Sequence, residues 1–303
     1  MKHYILISNT KEYLINKKLL DNISFQIEKF TDRKITFKEL SIKQAYECDF
    51  FDTEINIELK ESIKSFLLKK NIDCNFVMPT KYRKKKLLLA DMDSTIIKEE
   101  SLDEIARQIG IEKEIIKITN EAMNGKIDFK LALQKRVAMF KGQSANLLNT
   151  LKKNININDG AKELINTMKQ NGATTVLVSG GFTFLTEHLK ALLGFNYTHA
   201  NSLEITTNKD KSDILTGKIQ GIILDNKAKL KYLNKYVNDN SLSYEDTICV
   251  GDGANDIEMI KKACLGVSFN GKKILDETAN VQFKNTNLKG LLYLQGYCDA
   301  EIT

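Results

Sequence analysis

A run of four apolar residues that ends abruptly in acids is the feature of this chain that most constrains its fold. The segment Leu87–Thr95 reads LLLADMDST, so that Asp91 and Asp93 follow the apolar run two positions apart. An apolar run this short predicts a buried strand whose carboxyl end opens onto a site. Buried carboxylates are costly unless a cation or hydrogen bonds compensate them, so the pair suggests a bound metal. Taken alone, the same residues also fit an aspartate-rich turn after a strand.

A second apolar run, Thr247–Val250, also stops at an acid. Asp252 follows it within the sequence VGDGAND, and the glycines on either side let the backbone pass close to a ligand. Asn255 and Asp256 come where a helix is expected to begin. This pattern predicts a second strand that delivers acids to the same edge of a parallel sheet.

A third run, Thr174–Val178, ends at Ser179, Gly180 and a further glycine, and a helix is predicted over 182–193. A hydroxyl and free backbone N–H groups at the start of a helix form an anion site. Three predicted parallel strands therefore bring acids, a hydroxyl and glycines to their carboxyl ends, where ligands bind in open α/β sheets. The chain has three histidines and no Ser-His-Asp or Cys-His arrangement, so we expect the aspartates to carry the chemistry.

At these residues the sequence resembles the haloacid dehalogenase (HAD) superfamily and, within it, the phosphoserine phosphatase family. The matching segments are DMDST at 91–95, VSGG at 178–181 and GDGANDIEM at 251–259. A glutamate nine residues after the first aspartate, an arginine in KRVAMFKG and a lysine eight residues after Gly221 also match, and here they are Glu100, Arg136 and Lys229. The resemblance spans residues 86–290. It implies an α/β fold, a HAD-type Rossmann-like parallel sheet with an inserted helical cap.

The resemblance implies a reaction through an aspartyl phosphate. Asp91 would be the nucleophile, and Asp93 the general acid and then the general base. Mg2+ would be held by a side-chain oxygen of Asp91, the backbone carbonyl of Asp93 and Asp252, because this ion prefers hard oxygen ligands. Asn255 and Asp256 would order the waters of the metal and the nearby lysine.

The resemblance also implies which residues bind the substrate. Ser179 and the Gly180 N–H would hold phosphate oxygens, and Lys229 would place a positive charge beside them. Lys229 lies in a lysine-rich stretch, so its neighbour Lys227 or an ordinary solvated helix position stay as alternatives.

Glu100 and Arg136 would bind the ammonium and carboxylate groups of O-phospho-L-serine. Arg136 has apolar neighbours at i−4, i−3, i+3 and i+4 of its predicted helix. Its guanidinium must therefore extend to water or bind an anion, and its fork geometry suits a carboxylate.

The 87 residues between Asp91 and Ser179 exceed what one crossover connection needs. We predict that residues 98–158 form a helical cap inserted into a core of residues 81–97 and 159–303. Its predicted helices are 101–110 with a capping box at Ser101–Glu104, Ile111–Asn124 ended by Gly125, Phe129–Phe140 after the N-cap Asp128, and a fourth capped by Ser144.

Residues 1–80 are predicted to form a small α+β domain, which matches only loosely the ACT-like domain of some bacterial family members. Its predicted strands are His3–Ser8, Lys34–Leu40 and Asp73–Met78, and its predicted helices are Lys18–Phe30 and Glu58–Lys69. This domain could have a regulatory or dimerising role, and a purely structural role fits it equally. A homodimer is therefore left open. The run KYRKKK at 81–86 is most simply a solvated linker, because neither interleaved aromatic residues nor a basic helix supports nucleic-acid binding.

Composition and charge limit the compartment and the partners that fit the protein, and they say little about its reaction. A formal charge of +6 would help to attract an anionic substrate but identifies no partner. The apolar runs are too short to span a membrane, which takes about 20 residues, or to form a signal peptide at the start of the chain. Five scattered cysteines without a C-x-x-C motif indicate reduced thiols in a cytoplasmic protein.

The family resemblance implies Mg2+-dependent hydrolysis of O-phospho-L-serine, the last step of L-serine biosynthesis. A related phosphatase or a phosphotransferase acting on another small phosphomonoester shares the same motifs. A hypothesis of another class is an amino-acid-sensing regulator on an inactive core, but that would be expected to lack Asp91 or Asp93, and both are present. A P-type ion pump shares GDGxND but needs membrane spans and a DKTGT sequence.

Overall fold

The N-terminal part of the protein is an antiparallel sheet with two helices on one face. The computed structural model describes residues 2–12, 14–29, 34–51, 56–77, 81–123 and 126–303. Its first elements are β1 (Lys2–Ser8), α1 (Lys17–Glu28), β2 (Lys38–Ser41), β3 (Ala45–Phe51), α2 (Ile57–Leu68) and β4 (Asp73–Val77). The strand order is β2-β3-β1-β4. Leucine and isoleucine side chains at helical spacing on both helices pack against Ile5 and Ile7, which accounts for the separate core of this part.

The structure corrects the predicted strands of this part. Strand β3 was not predicted, although residues 46–50 alternate between apolar and acidic side chains as a half-buried strand does. Glu47 is nevertheless buried, in an ion pair with Arg83 from beyond the sheet. The strand predicted over Lys34–Leu40 is confined to β2, and the predicted ends at Phe30 and Met78 lie outside the described residues.

The remaining strands form a seven-stranded sheet, and four helices are inserted after its first strand. These elements are β5 (Leu87–Ala90), α3 (Ser101–Gln108), α4 (Glu112–Met123), α5 (Phe129–Ala138), α6 (Asn146–Asn154), α7 (Ala161–Gln170), β6 (Thr174–Phe182), α8 (Thr183–Leu193), β7 (Tyr197–Thr207), β8 (Asp213–Gln220), α9 (Asn226–Asp239), β9 (Thr247–Gly251), α10 (Ile257–Lys262), β10 (Leu265–Phe269), α11 (Lys273–Asp276), β11 (Val281–Phe283) and α12 (Gly290–Leu294).

The sheet order is β11-β10-β9-β5-β6-β7-β8, and all neighbouring strands are parallel except the hairpin β7–β8. Strands β5, β9 and β10 are buried along their whole length, which explains their continuous apolar runs. The predicted α/β fold with a parallel sheet and inserted helices is confirmed. None of the helices in the described ranges is long and apolar enough to cross a membrane.

The inserted helices begin where the sequence predicted, with two corrections at their caps. Asp128 accepts a hydrogen bond from the Leu131 N–H as the N-cap of α5, at 2.9 Å. The capping box predicted at Ser101 is wrong, because α3 already begins at Ser101 and its N–H donates to Asp93 Oδ1 at 2.9 Å. Ser144 Oγ accepts from the Asn146 N–H at 3.3 Å, although Ala145 occupies the N-cap position of α6. The ends predicted at Asn124 and Gly125 lie outside the described residues.

The basic run at 81–86 is solvated only in part, because Lys81, Tyr82, Lys84 and Lys86 are exposed whereas Arg83 and Lys85 are held by the protein. Lys85 is buried, and its ammonium donates to the carbonyls of Tyr82 and Glu245, each at 2.7 Å. Arg83 pairs with Glu47 and donates to the Leu294 carbonyl at 3.2 Å. The charged groups of Lys85 and Arg83 donate to protein carbonyls and a carboxylate instead of to water. The segment therefore joins the two parts of the protein by specific contacts. All five cysteines are free thiols.

Candidate active site

The carboxyl ends of β5, β6 and β9 meet at one edge of the sheet, as the three apolar runs predicted. Asp91 directly follows β5, and its N–H continues the ladder by donating to the Val250 carbonyl of β9 at 3.0 Å. Asp252 lies immediately beyond β9. Because adjacent strands end together, these two acids become neighbours although 160 residues separate them in the chain.

Strand β6 differs from the prediction at its end. It continues to Phe182 instead of stopping at Val178, and α8 starts only at Thr183, so Ser179 and Gly180 belong to the strand end and not to a helix start. The pairing with β7 shifts register between Val178 and Phe182, which indicates a bulge that the glycines permit. Ser179 is buried, and its Oγ accepts from the Gly181 N–H at 2.8 Å.

Lys229 is the buried cation of the site. It projects from α9 and its ammonium lies 2.7 Å from Asp91 Oδ1 and 2.6 Å from Asp256 Oδ1. Its side chain is 4% exposed, whereas Lys227 is exposed to solvent, so the two alternatives raised for this stretch do not fit the structure. Burial lowers the pKa of Lys229, but the carboxylates of Asp256 and Asp91 outweigh it and hold the pKa above the usual value. The lysine therefore stays charged.

Asp256 anchors the loop that carries Asp252. Its side chain is fully buried, and Oδ2 accepts from the N–H groups of Asp252 and Gly253 at 3.2 and 3.1 Å. Burial, together with the charge of Asp91, raises the pKa of Asp256 to about 7, although Lys229 opposes that shift. Carboxylate oxygens of Asp91, Asp252 and Asp256 all lie within 4.8 Å of one another, close enough to hold one cation.

Asp93 faces the cavity from the turn after Asp91 and is not part of that cluster. A Cβ atom on Gly181 would lie 2.9 Å from Asp93 Oδ2, so a side chain there would displace the Asp93 carboxylate. The pKa of Asp93 is raised well above its usual value, first by burial and then by the negative charges of Glu100 and Asp91. A carboxyl group in this position can keep a proton that a free aspartate would lose.

Glu100 and Arg136 line the cap side of the site. Ser94 donates to Glu100 Oε1 at 2.8 Å from a backbone in the left-handed region, with φ 53°. Arg136 Nε donates to the Ala132 carbonyl at 3.3 Å, and Nη1 to Thr119 Oγ1 at 3.5 Å. Burial lowers the pKa of Arg136, and the more distant charges of Asp103 and Glu100 offset this only partly. The guanidinium thus donates its hydrogen bonds to neutral groups, a carbonyl and a hydroxyl, and its positive charge is able to bind an anion.

A cavity of about 300 Å³ lies between these two sides. The sheet side contributes Asp91, Asp252, Asn255 and Gly180 to its wall, and the inserted helices contribute Glu100 and Arg136. Asn255 Nδ2 is 3.5 Å from Asp91 Oδ2. Ser179, Lys229 and Asp256 lie beneath the wall, in contact with the residues that form it.

Thr119, Phe129 and Lys272 are among the residues of the cavity wall that were not assigned to the site from the sequence. The first two lie on predicted cap helices, where their spacing fits ordinary packing. Lys272 follows the end of β10 in the sequence NGK, which is the same signal of a strand ending in polar residues and glycine that marked the other sites.

Comparisons with known proteins show the family to which the chain is similar. The family model of haloacid dehalogenase-like hydrolases matches residues 88–261. A probable phosphoserine phosphatase of Schizosaccharomyces pombe is 38% identical over 240 residues, covering 79% of this chain and 80% of that protein. The phosphoserine phosphatase of Methanocaldococcus jannaschii is 41% identical over 210 residues, covering 69% of this chain and 97% of that protein. The crystal structure of a probable phosphoserine phosphatase from Vibrio cholerae is 25% identical with a TM-score of 0.79, covering 97% of this chain and 86% of that one.

Proposed function

The chain belongs to the family of haloacid dehalogenase-like hydrolases, and on that basis we propose that it is a phosphoserine phosphatase, an enzyme that hydrolyses O-phospho-L-serine to L-serine and phosphate. The observation that carries this function is the cavity between Asp91, with its buried lysine, and the pair Glu100 and Arg136. One side offers a nucleophile for phosphorus. The other offers an anion and a cation for the two charged groups of an amino acid.

In the proposed reaction Asp91 attacks phosphorus and forms an aspartyl phosphate. Lys229 Nζ and the Met92 N–H both hold Asp91 Oδ1, at 2.7 and 2.8 Å, which orients the carboxylate for in-line attack. Asp93 donates its proton to the leaving seryl oxygen and then, as the base, takes a proton from the water that cleaves the intermediate. Ser179 and Gly180 bind phosphate oxygens, and the Lys229 ammonium supplies positive charge beside them.

The acidic cluster fits a divalent cation, and we assign Mg2+ to it. Asp91 and Asp252 supply hard carboxylate oxygens, and the backbone carbonyl of Asp93 completes the proposed protein ligands. The three contacts to Asp256 from Lys229 and two N–H groups favour an ordering role for it, together with Asn255. When bound, the ion neutralises negative charge on the phosphoryl group and the carboxylates.

Substrate choice is assigned to the cap side of the cavity. Arg136 would bind the substrate carboxylate with two N–H groups, and Glu100 would accept from the ammonium group. Burial, with the charge of Asp252, raises the pKa of Glu100, while the hydrogen bond from Ser94 opposes the shift. Lys272 also lowers the pKa of Glu100, and an arriving ammonium group would add a positive charge beside this carboxylate.

The decisive experiment measures phosphate release from a panel of phosphomonoesters with the purified full-length protein, with and without Mg2+. The proposal expects O-phospho-L-serine to be the best substrate, EDTA to abolish its hydrolysis, and added Mg2+ to restore it. Ca2+ should support the reaction poorly, because its larger and looser coordination shell relaxes the geometry of attack. Preference for another small ester, or transfer to an added alcohol such as homoserine, would favour the related phosphatase or phosphotransferase. No release from any ester, with binding of L-serine, would favour the regulator.

We also propose the setting in which the enzyme works. We retain the boundaries predicted for the small N-terminal domain, the core and the cap. We expect a small-molecule substrate and no nucleic-acid partner. Five free thiols fit a reducing compartment, which we take to be the cytoplasm. A homodimer is the proposed assembly, and light scattering of the purified protein tests it. A monomeric mass would exclude the homodimer.

A further inference from the structure

Lys272 lies on the cavity wall beside Asp252 and has no part in the reaction described above. It follows β10 at the same edge of the sheet as Asp91 and Asp252. Its ammonium is 3.7 Å from Asp252 Oδ2, which is an ion-pair distance but longer than a hydrogen bond. The side chain is 60% exposed, compared with 4% for Lys229. Lys272 is therefore a loosely held cation that can change partners.

The backbone under this side chain is, by contrast, fixed on several sides. The Lys272 N–H donates to the Asp252 carbonyl at 2.8 Å, and the Asn270 N–H to the Phe283 carbonyl at 2.8 Å. Lys284 donates from its ammonium to the Gly271 carbonyl. A Cβ atom on Gly271 would lie 2.1 Å from the hydroxyl oxygen of Ser268, so a side chain at that position would displace this hydroxyl. The fixed backbone keeps the exposed ammonium of Lys272 at the edge of the cavity.

The charges around the cavity indicate what this ammonium can bind. Of the described residues on the cavity wall, Asp91, Asp93, Glu100 and Asp252 are acidic, and Arg136 and Lys272 are basic. Lys229, beneath the wall, already pairs with two carboxylates. An entering phosphate dianion would meet the proposed Mg2+ and Lys229 at the end of the cavity where Asp91 attacks, and Lys272 offers a further positive charge there. Lys272 is at that end, beside Asp252, whereas Arg136 is on the cap.

Resting on the proposed function, we propose that Lys272 is a further substrate-binding residue, which leaves Asp252 and contacts the phosphate oxygens on the Asp252 side of the cavity. The side chain has a flexible stem and three donors, so it can follow the phosphate without movement of the backbone. Because the contact is made by an exposed side chain, its contribution is screened by water and salt.

The test uses two probes that each carry one half of the substrate. Inorganic phosphate presents only the phosphate group, and L-serine presents only the ammonium and carboxylate groups. Their dissociation constants are measured by calorimetry on the full-length protein with Mg2+, for the wild type and for Lys272→Met, Lys272→Arg and Lys273→Met. Lys273 is the matched control, because it is adjacent and basic but 91% exposed, with Glu277 at 3.7 Å.

Lys272→Met should weaken phosphate binding by about three- to tenfold and change L-serine binding by less than about twofold. Lys272→Arg should retain most of the phosphate affinity, Lys273→Met all of it, and the loss should shrink in high salt. An unchanged phosphate affinity in Lys272→Met, an equal loss in Lys273→Met, or a loss confined to L-serine would overturn the proposal. These affinities do not depend on turnover, so a wild type that binds phosphate but hydrolyses no ester would refute the proposed function and not the role of Lys272.

Discussion

Asp91 is held by three groups, with Oδ1 bound by Lys229 and the Met92 N–H, and Oδ2 lying 3.5 Å from Asn255. Asp91→Asn changes one oxygen into an amide nitrogen of similar size, so the fold should persist. An amide cannot form the acyl phosphate, and we expect the turnover number to fall by a factor on the order of 10⁴ or more. The measurement is phosphate release under single-turnover conditions.

The matched control for this variant is Asp239→Asn, at the exposed end of α9 in an ion pair with Lys235. It makes the same chemical change far from the cavity and should keep the wild-type rate. Appreciable release by Asp91→Asn, with a control that behaves normally, would contradict the assignment of the nucleophile.

The raised pKa of Asp93 predicts the pH dependence of the reaction. Burial and the charges of Glu100 and Asp91 favour the protonated form, so the proton for the leaving oxygen is present at low pH and persists above the pH at which a free carboxyl loses it. As the pH rises through this pKa, the protonated fraction and the rate on O-phospho-L-serine should fall. Asp93→Asn should lower that rate by about 10²–10⁴-fold and remove the alkaline decline.

An ester with a stable leaving group provides the control for this prediction. p-Nitrophenyl phosphate hardly needs a proton on its leaving oxygen, so its aspartyl-phosphate formation should be much less sensitive to Asp93→Asn. Pre-steady-state measurement of p-nitrophenol release follows that step alone. Equal losses on both esters would argue that Asp93 is not the general acid.

At the scale of elements, helix α5 holds Arg136 over the cavity, and the segment entering α3 holds Glu100. We expect Arg136→Ala and Glu100→Gln to lose activity on O-phospho-L-serine far more than on a phosphomonoester without charged groups. Each change removes a charge-assisted contact of about 1.5–3 kcal/mol, roughly ten- to a hundredfold in kcat/KM.

Lys135→Ala is the matched control, because it removes a positive charge from the same helix at a position exposed to solvent. Its kcat/KM on both esters should stay near the wild-type value. A loss of similar size on both esters in Arg136→Ala and Glu100→Gln would show that neither residue selects the substrate.

Strands that are buried within their own sheet could be predicted from their apolar runs. Strand β3, which contains charged residues, was missed. The runs at β5 and β9 are apolar throughout because parallel sheets bury both faces, and the acids that follow them are at the sheet edge for the same reason. Strand β3 contains Glu47, which is buried in ion pairs with Arg83 from beyond the sheet and with Lys38 of β2. Lys272 was missed although the sequence NGK after β10 carries the same signal as the other sites, a strand that ends in glycine and polar residues.

On the scale of the whole molecule, Asp73 joins the N-terminal part to the rest. Its carboxylate accepts from the N–H groups of Lys284 and Asn285, at 3.1 and 2.9 Å, and from the Asn285 side chain at 3.3 Å. Asp73→Ala would leave these donors without their acceptor in a buried position. We expect the free energy of unfolding to fall by about 2–4 kcal/mol, measured by urea denaturation.

Asp21→Ala is the control for this change, because Asp21 is exposed on α1 in the same part of the protein. Its unfolding free energy should stay within about 0.5 kcal/mol of the wild type. If Asp73→Ala were equally mild, the contact with residues 284 and 285 would contribute little to stability.

The junction around Asn75 has a consequence for how the chain behaves in crowded solution. Strands β4 and β11 are both outermost in their sheets, and such strands invite pairing with other molecules. Asn75 accepts from the Gln282 N–H at 2.9 Å and donates to the Gln282 carbonyl at 3.0 Å, as a neighbouring strand would. Each part of the protein thereby covers the edge strand of the other. Separating the two parts would expose two edge strands that are prone to aggregation.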